Sequence, residues 1–134
     1  MVFLIQEKGA DLGLKYRLHF YGPYSRDLYL TLQEINLNNI IYIDRKTNEI
    51  ILLQDSGQLA SEHEKIVDKV ISEFGLYMPS ELDFVTSVLY ISKHMKKNNT
   101  ETIKAVQDLK GSLYSECLIQ LFIDKFQELN YLAC

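Results

Sequence analysis

Tryptophan is absent from this sequence, and proline and cysteine each occur only twice. Cys117 and Cys134 offer neither a disulfide framework nor a metal-ligand spacing. Cys117 falls in a helical pattern and is expected to be packed as a small apolar residue; Cys134, the last residue, is expected to fray. Such sparse cysteine fits a reducing cytoplasm. No apolar stretch approaches the ~20 residues of a membrane-spanning helix. The start, residues 1–7, lacks the basic lead and cleavage site of a signal peptide. Basic charge is also scarce. The net charge is −4, with six basic and seven acidic groups in residues 1–60 and eight and eleven in residues 61–134. Neither half is attracted as a whole to nucleic acid or anionic membrane, which leaves only a local basic patch to consider.

The motifs of common enzymes are missing too. There is no Gly-x-Ser-x-Gly, no Gly-x-x-x-x-Gly-Lys and no Gly-x-Gly-x-x-Gly. His19, His63 and His94 stand far apart, without the His-x-x-x-His spacing of a zinc helix. No catalytic residue, metal or cofactor is expected, and an enzyme of unrecognised type is the third-ranked reading.

What is present is an ordinary globular composition: 134 residues, 47% hydrophobic and 24% charged, rich in Tyr and Phe. That length fits a single domain, 1–134, able to bury a core without staples. Residues 2–8 read as the last turns of a helix ending near Gly9. It is an apolar helix that starts at Met1 without a cap, which suggests that earlier turns are missing. Residues 14–21 alternate, with Leu14, Tyr16, Leu18 and Phe20 on one side and Lys15, Arg17 and His19 on the other, so the segment is extended. Gly22-Pro23 is expected to break it.

Helical spacing returns over 24–36, with Leu28, Leu32 and Ile35 on one face, Ser25 as the cap and Asn36, Asn38 and Asn39 as the stop. Ile40–Ile43 and Ile50–Leu53, joined by the polar 44–49, read as a β-hairpin. After a short loop, 54–60, four helices are expected. The first is opened by a Ser61/Glu64 capping box, with Ile66, Val67, Val70, Ile71 and Phe74 as its buried stripe. The second starts at Pro79, the third at a Thr100 cap. The fourth starts at a Ser115 cap, with Leu118, Leu121, Phe122 and Leu129 inward and Tyr131-Leu132 folding back. The expected fold class is α+β and mostly α-helical: a winged-helix-like N-terminal unit with a β-hairpin (1–55) and a C-terminal four-helix unit (61–134), sharing one core.

Tyr16-Arg17-Leu18-His19-Phe20-Tyr21-Gly22-Pro23-Tyr24-Ser25-Arg26-Asp27-Leu28 resembles the signature of an uncharacterised prokaryotic family often called YwgA-like. The segments 2–9, 82–90, 102–110 and 114–132 are similar to it as well. In the family a further turn or two of helix precedes the first of these segments. The order of helix, aromatic run and Gly-Pro turn is also similar to Panacea-type antitoxin domains, which pair with toxins or act near proteolysis adaptors. This chain departs from them in having no Trp and in placing Tyr24 after Gly-Pro. Neither resemblance implies a catalytic residue.

The candidate contacts are therefore few. Lys15, Arg17, His19 and Arg26, with Arg45 and Lys46 at the hairpin tip, could form a basic strip that meets DNA or a protein partner, and the Gly-Pro turn could present Tyr24 beside Arg26 to such a partner. Against DNA, helix 24–36 offers one cation, Arg26, beside Asp27 and Glu34. The apolar start, with Phe3 and Leu4, and the face of Leu28 and Leu32 are the expected contact of a symmetric homodimer. The expected function is a non-enzymatic regulatory or interaction module of winged-helix type, with DNA as a candidate ligand. The alternative is a protein-binding partner, antitoxin-like or dimeric, without nucleic acid. No membrane partner is expected.

Overall fold

The computed structural model of the chain describes all residues except 48, 55, 56, 58, 112 and 134. The expected fraying of Cys134 and part of the 54–60 loop thus lie outside the described residues. Among those described, there are six helices and two small antiparallel hairpins: α1 (Val2–Lys8), β1 (Arg17–His19), β2 (Gly22–Tyr24), α2 (Arg26–Leu37), β3 (Ile41–Ile43), β4 (Ile50–Leu52), α3 (Ser61–Phe74), α4 (Pro79–His94), α5 (Asn99–Lys110) and α6 (Glu116–Glu128). The fold is α+β and mostly α-helical. No helix among the described residues is long and apolar enough to cross a membrane.

The core lies among the helices. α4 is its axis: Phe84 through Leu89 and Ile91 are all buried. Val70 and Phe74 of α3, Val106 of α5, and Ile119, Ile123 and Phe126 of α6 close on it. Past α6, Asn130 takes a left-handed φ of 64°, and the chain turns back so that the Tyr131 N–H donates to the Phe126 carbonyl at 2.8 Å. The Tyr131 ring then meets Phe74 and Phe126 edge to face.

α1 belongs to this body. Phe3 (4% exposed) and Leu4 (0%) are part of the same cluster, and α1 packs chiefly against α3. Lys8 anchors its end, 3.1 Å from Glu73 and 2.5 Å from the Leu129 carbonyl. The expectation that Phe3 and Leu4 form a dimer contact is corrected here, because the chain's own core already covers them. The first 55 residues therefore do not close on themselves: α1 and the first hairpin rest on the helical body.

Residues 14–19 keep the expected alternation, with Leu14, Tyr16 and Leu18 half-buried and Lys15, Arg17 and His19 exposed; Phe20 is exposed, against expectation. Gly22-Pro23 is not a break but the start of β2, with His19 opposite Gly22 and Leu18 opposite Pro23. A two-stranded ribbon consists only of edges, so proline's missing N–H is tolerated. The ribbon lies on α4. Gly22 is required there, since its φ is 102° and a Cβ would come within 3.1 Å of Asp83 Oδ1 and 3.2 Å of Thr86 Oγ1. Lys110, reaching from α5, binds the Phe20 carbonyl and Asp83 Oδ1, the latter at 2.6 Å, and fixes the ribbon's tip.

α2 starts and stops as its sequence indicates. Ser25 Oγ accepts from the Leu28 N–H at 3.3 Å, and Asn39 holds the left-handed stop at φ 58°. The β3–β4 hairpin follows at once, and the Asn36 side chain accepts from the Ile43 N–H at 3.2 Å. This arm differs from the body in that α2 buries no residue and β4 is exposed throughout.

Several local expectations shift. Ala60, not Ser61, is the cap residue of α3 and Ser61 is already helical; Asn98, not Thr100, caps α5, accepting from the Glu101 N–H at 2.9 Å. Ile71, Leu121 and Cys117 are exposed rather than packed.

Candidate functional site

The alternation of residues 14–19 sends Lys15, Arg17 and His19 to the side away from the core. β2 then returns Tyr24 to the register position of Arg17, and α2 begins two residues later. The outcome is a cleft of 780 Å³ lined by Leu14, Lys15, Tyr16, Arg17, His19, Tyr24, Arg26, Asp27 and His94. Four of the six sequence-derived contact residues, Lys15, Arg17, Tyr24 and Arg26, thus converge. Arg45 and Lys46 do not: they lie exposed at the tip of the β3–β4 hairpin, where the Asp44 side chain holds the turn through the Lys46 N–H at 2.8 Å.

Across the cleft stands His94, the last residue of α4, which α1 positions. Glu7 lies 2.6 Å from His94 Nε2 and 2.7 Å from Lys93 Nζ, while the His94 ring stacks on Tyr90 at 5.1 Å. Behind it, the Tyr16 ring meets Phe3 edge to face at 5.0 Å. The Tyr16 hydroxyl is buried and has no hydrogen-bond partner among the described residues. Burial first, and the nearby Glu7 charge second, push its pKa up to about 12.

A buried hydroxyl without a partner costs about 1–3 kcal/mol. Tyr16→Phe is therefore expected to raise stability at neutral pH by about 1 kcal/mol, measured by urea denaturation. The pH dependence carries the same signature. A tyrosine whose folded pKa lies above its unfolded value of 10.0 contributes stability that is complete below pH 10 and is lost as pH rises through about 12. Tyr131 is raised in the same direction, by burial and then by its hydrogen bond to Glu73. Stability is thus expected to decline above pH 10, and the decline between pH 10 and 12 to be shallower in Tyr16→Phe.

The second feature is apolar. Leu37 (79% exposed), Leu52 (64%) and Leu53 (53%) stand out on the arm, along with Leu30, Tyr42 and Ile51. Leu28 and Leu32, the other half of the expected dimer contact, are half-buried, and Leu28 lines a shallow 400 Å³ cleft with Ile50, Val2 and Leu82, between the arm and the body. No other strand pairs with the outer edge of β4 among the described residues. The composition of β4 was legible in the sequence, but its exposure on both faces was not.

Among the described residues, no three His, Cys, Asp or Glu side chains are grouped so as to hold a metal ion. The chain is similar to YwgA. Over 134 aligned residues it is 26% identical to the Bacillus subtilis (strain 168) protein named "Uncharacterized protein YwgA", a match that covers 88% of this chain and 78% of that one. No protein-family model matches. The likeness to YwgA seen in residues 16–28 is thus supported along most of the chain.

Proposed function

We propose that the chain, 1–134, is a single non-enzymatic interaction domain that works as a two-fold dimer, with the face of α2 and β4 as its contact. The observation that carries this is β4. Ile50-Ile51-Leu52 is exposed on both faces and is followed by exposed Leu53. Edge strands that stay monomeric are blunted by charge, proline or a bulge; this one has none of these within its three residues. An antiparallel strand is complementary to itself, so two copies related by a two-fold axis through Ile51 would join β4 to β4 and cover Leu37 and Leu52 together. Apolar patches larger than a few hundred Å² are rarely left open on monomers.

Light scattering over a dilution series tests this. The wild type is expected at twice 15.6 kDa. Leu52→Lys, which places a charge in the contact, is expected to give a monomer with an unchanged helical circular-dichroism signal. A wild type that stays at 15.6 kDa at every concentration rules the dimer out.

A second reading is favoured by one feature. The hairpin follows α2 directly, as a wing follows a recognition helix, and Arg45 and Lys46 sit exposed at its tip. Duplex DNA binding that weakens steeply with salt, and that loses slope when Arg45 or Lys46 is neutralised, would support a winged-helix, DNA-binding role. Tyr29, Leu30, Glu34 and Leu37 dominate the exposed face of α2, which suits a protein surface better than base edges.

A further inference from the structure

We infer that the cleft between β1 and the start of α2 is a binding site for a small phosphate-bearing ligand of nucleotide size. The charge is the first argument. Three permanent cations, Lys15, Arg17 and Arg26, line the cleft with the His19 imidazole and a single carboxylate, Asp27, while His94 on the rim already has Glu7 as its partner. This happens in a chain whose net charge is −4. Lys8, Lys93 and Lys110 each have a carboxylate partner within 3.1 Å. Lys15, Arg17 and Arg26 have no ion pair or side-chain hydrogen bond among the described residues. Like charges gathered without partners repel one another, and an anion between them relieves that repulsion. Two guanidinium groups, one from β1 and one from α2, bring the planar forks that suit phosphate oxygens.

The geometry narrows the ligand. The first turn of α2, a 12-residue helix, borders the cleft through Arg26 and Asp27, with its Leu28 N–H already taken by the Ser25 side chain. A volume of 780 Å³ falls within the range of small-molecule pockets, about 300–1,000 Å³, and leaves room beyond a phosphate group. On one wall the rings of His19 and Tyr24 pack against each other, 4.8 Å apart and 38° from parallel, and supply aromatic surface for a base to lie against. Phosphate on the arginines and a base on Tyr24 is the arrangement that fills the cleft.

Calorimetric titration of the full chain at low salt, with ATP and with pyrophosphate as separate probes, tests the assignment. ATP is expected to bind in the micromolar range, and Arg17→Gln and Arg26→Gln each to weaken it at least about tenfold, as loss of a charge-assisted bidentate contact does. Lys104→Gln, at an exposed cation that does not line the cleft, is expected to leave affinity unchanged. Tyr24→Ala is expected to weaken ATP and not pyrophosphate. Circular dichroism monitors the fold of each variant. No heat and no thermal shift with either probe at millimolar concentration would overturn the site. Equal affinity for ATP and pyrophosphate would overturn the nucleotide assignment. Salt-sensitive binding of a short DNA duplex that depends on Arg17, with no response to ATP, would replace it with a nucleic-acid surface.

Discussion

Leu4→Ala is expected to lower the stability of this protein by about 3 kcal/mol, within the 2–5 kcal/mol typical of a large aliphatic residue truncated in a core. The side chain is fully buried between α1 and the helical body, and its neighbour Phe3 is locked by Tyr16 at 5.0 Å and Tyr90 at 6.2 Å. α1 has only seven residues, too few to hold a helix by its own hydrogen bonds. Packing must therefore supply what propensity cannot. Urea unfolding measures the loss, and light scattering on the same sample should show the wild-type mass. An unstable variant with an unchanged mass places residue 4 in the core; a changed mass with unchanged stability would return it to a contact between copies.

Glu73→Ala is expected to be as damaging, at about 3 kcal/mol, for an electrostatic reason. One Glu73 oxygen lies 3.1 Å from Lys8 Nζ, and the other accepts from the Tyr131 hydroxyl at 3.0 Å. The Lys8 ammonium also sits over the Tyr131 ring at 4.5 Å. The Lys8 and Glu73 side chains are 12% and 14% exposed, so little water can take the carboxylate's place. Removing it leaves the Lys8 ammonium with only the Leu129 carbonyl and the Tyr131 ring, and the Tyr131 hydroxyl without its acceptor, and breaking such a pair from one side costs about 3–5 kcal/mol. Truncating both Lys8 and Glu73 to Met and Leu is expected to recover much of the loss, because a well-packed apolar pair can match a buried ion pair. If Glu73→Ala unfolds at the wild-type urea midpoint, this three-residue link contributes nothing.

Chain punctuation was the most legible part of this sequence. Ser25, Ser115, Gly9, Gly111, Asn39 and Asn130 each mark a helix end in the structure, because each answers a local backbone demand that the residue type itself can meet. Even the missed cap of α5 had a signal: Asn98 stands three residues before Glu101, whose amide it caps. Choosing a buried face was harder. α6 is apolar on most sides, and Ile119, Ile123 and Phe126 are fully buried while Leu121 faces out. Period alone cannot choose between two apolar stripes on one helix; the neighbouring helices decide.

The site divides in the same way. Lys15, Arg17 and His19 share a side by simple alternation, and Arg26 follows from the turn. His94 and its partner Glu7 are 87 residues apart in sequence, and the unpartnered Tyr16 hydroxyl depends on what surrounds it. No local pattern encodes either.

The unequal packing of arm and body also has a kinetic consequence. Opening α2 and the β3–β4 hairpin exposes little new surface, since among their described residues only Ile41 is buried. Opening α4 or α6 exposes the whole core. Native-state hydrogen exchange should therefore separate the chain into two cooperative units, with amides of residues 28–53 exchanging through a low-energy local opening and those of α4 and α6 only through global unfolding. Whatever covers the arm would be registered first as slower exchange there, so exchange rates across residues 28–53 would report occupancy of that face while the interior stayed silent.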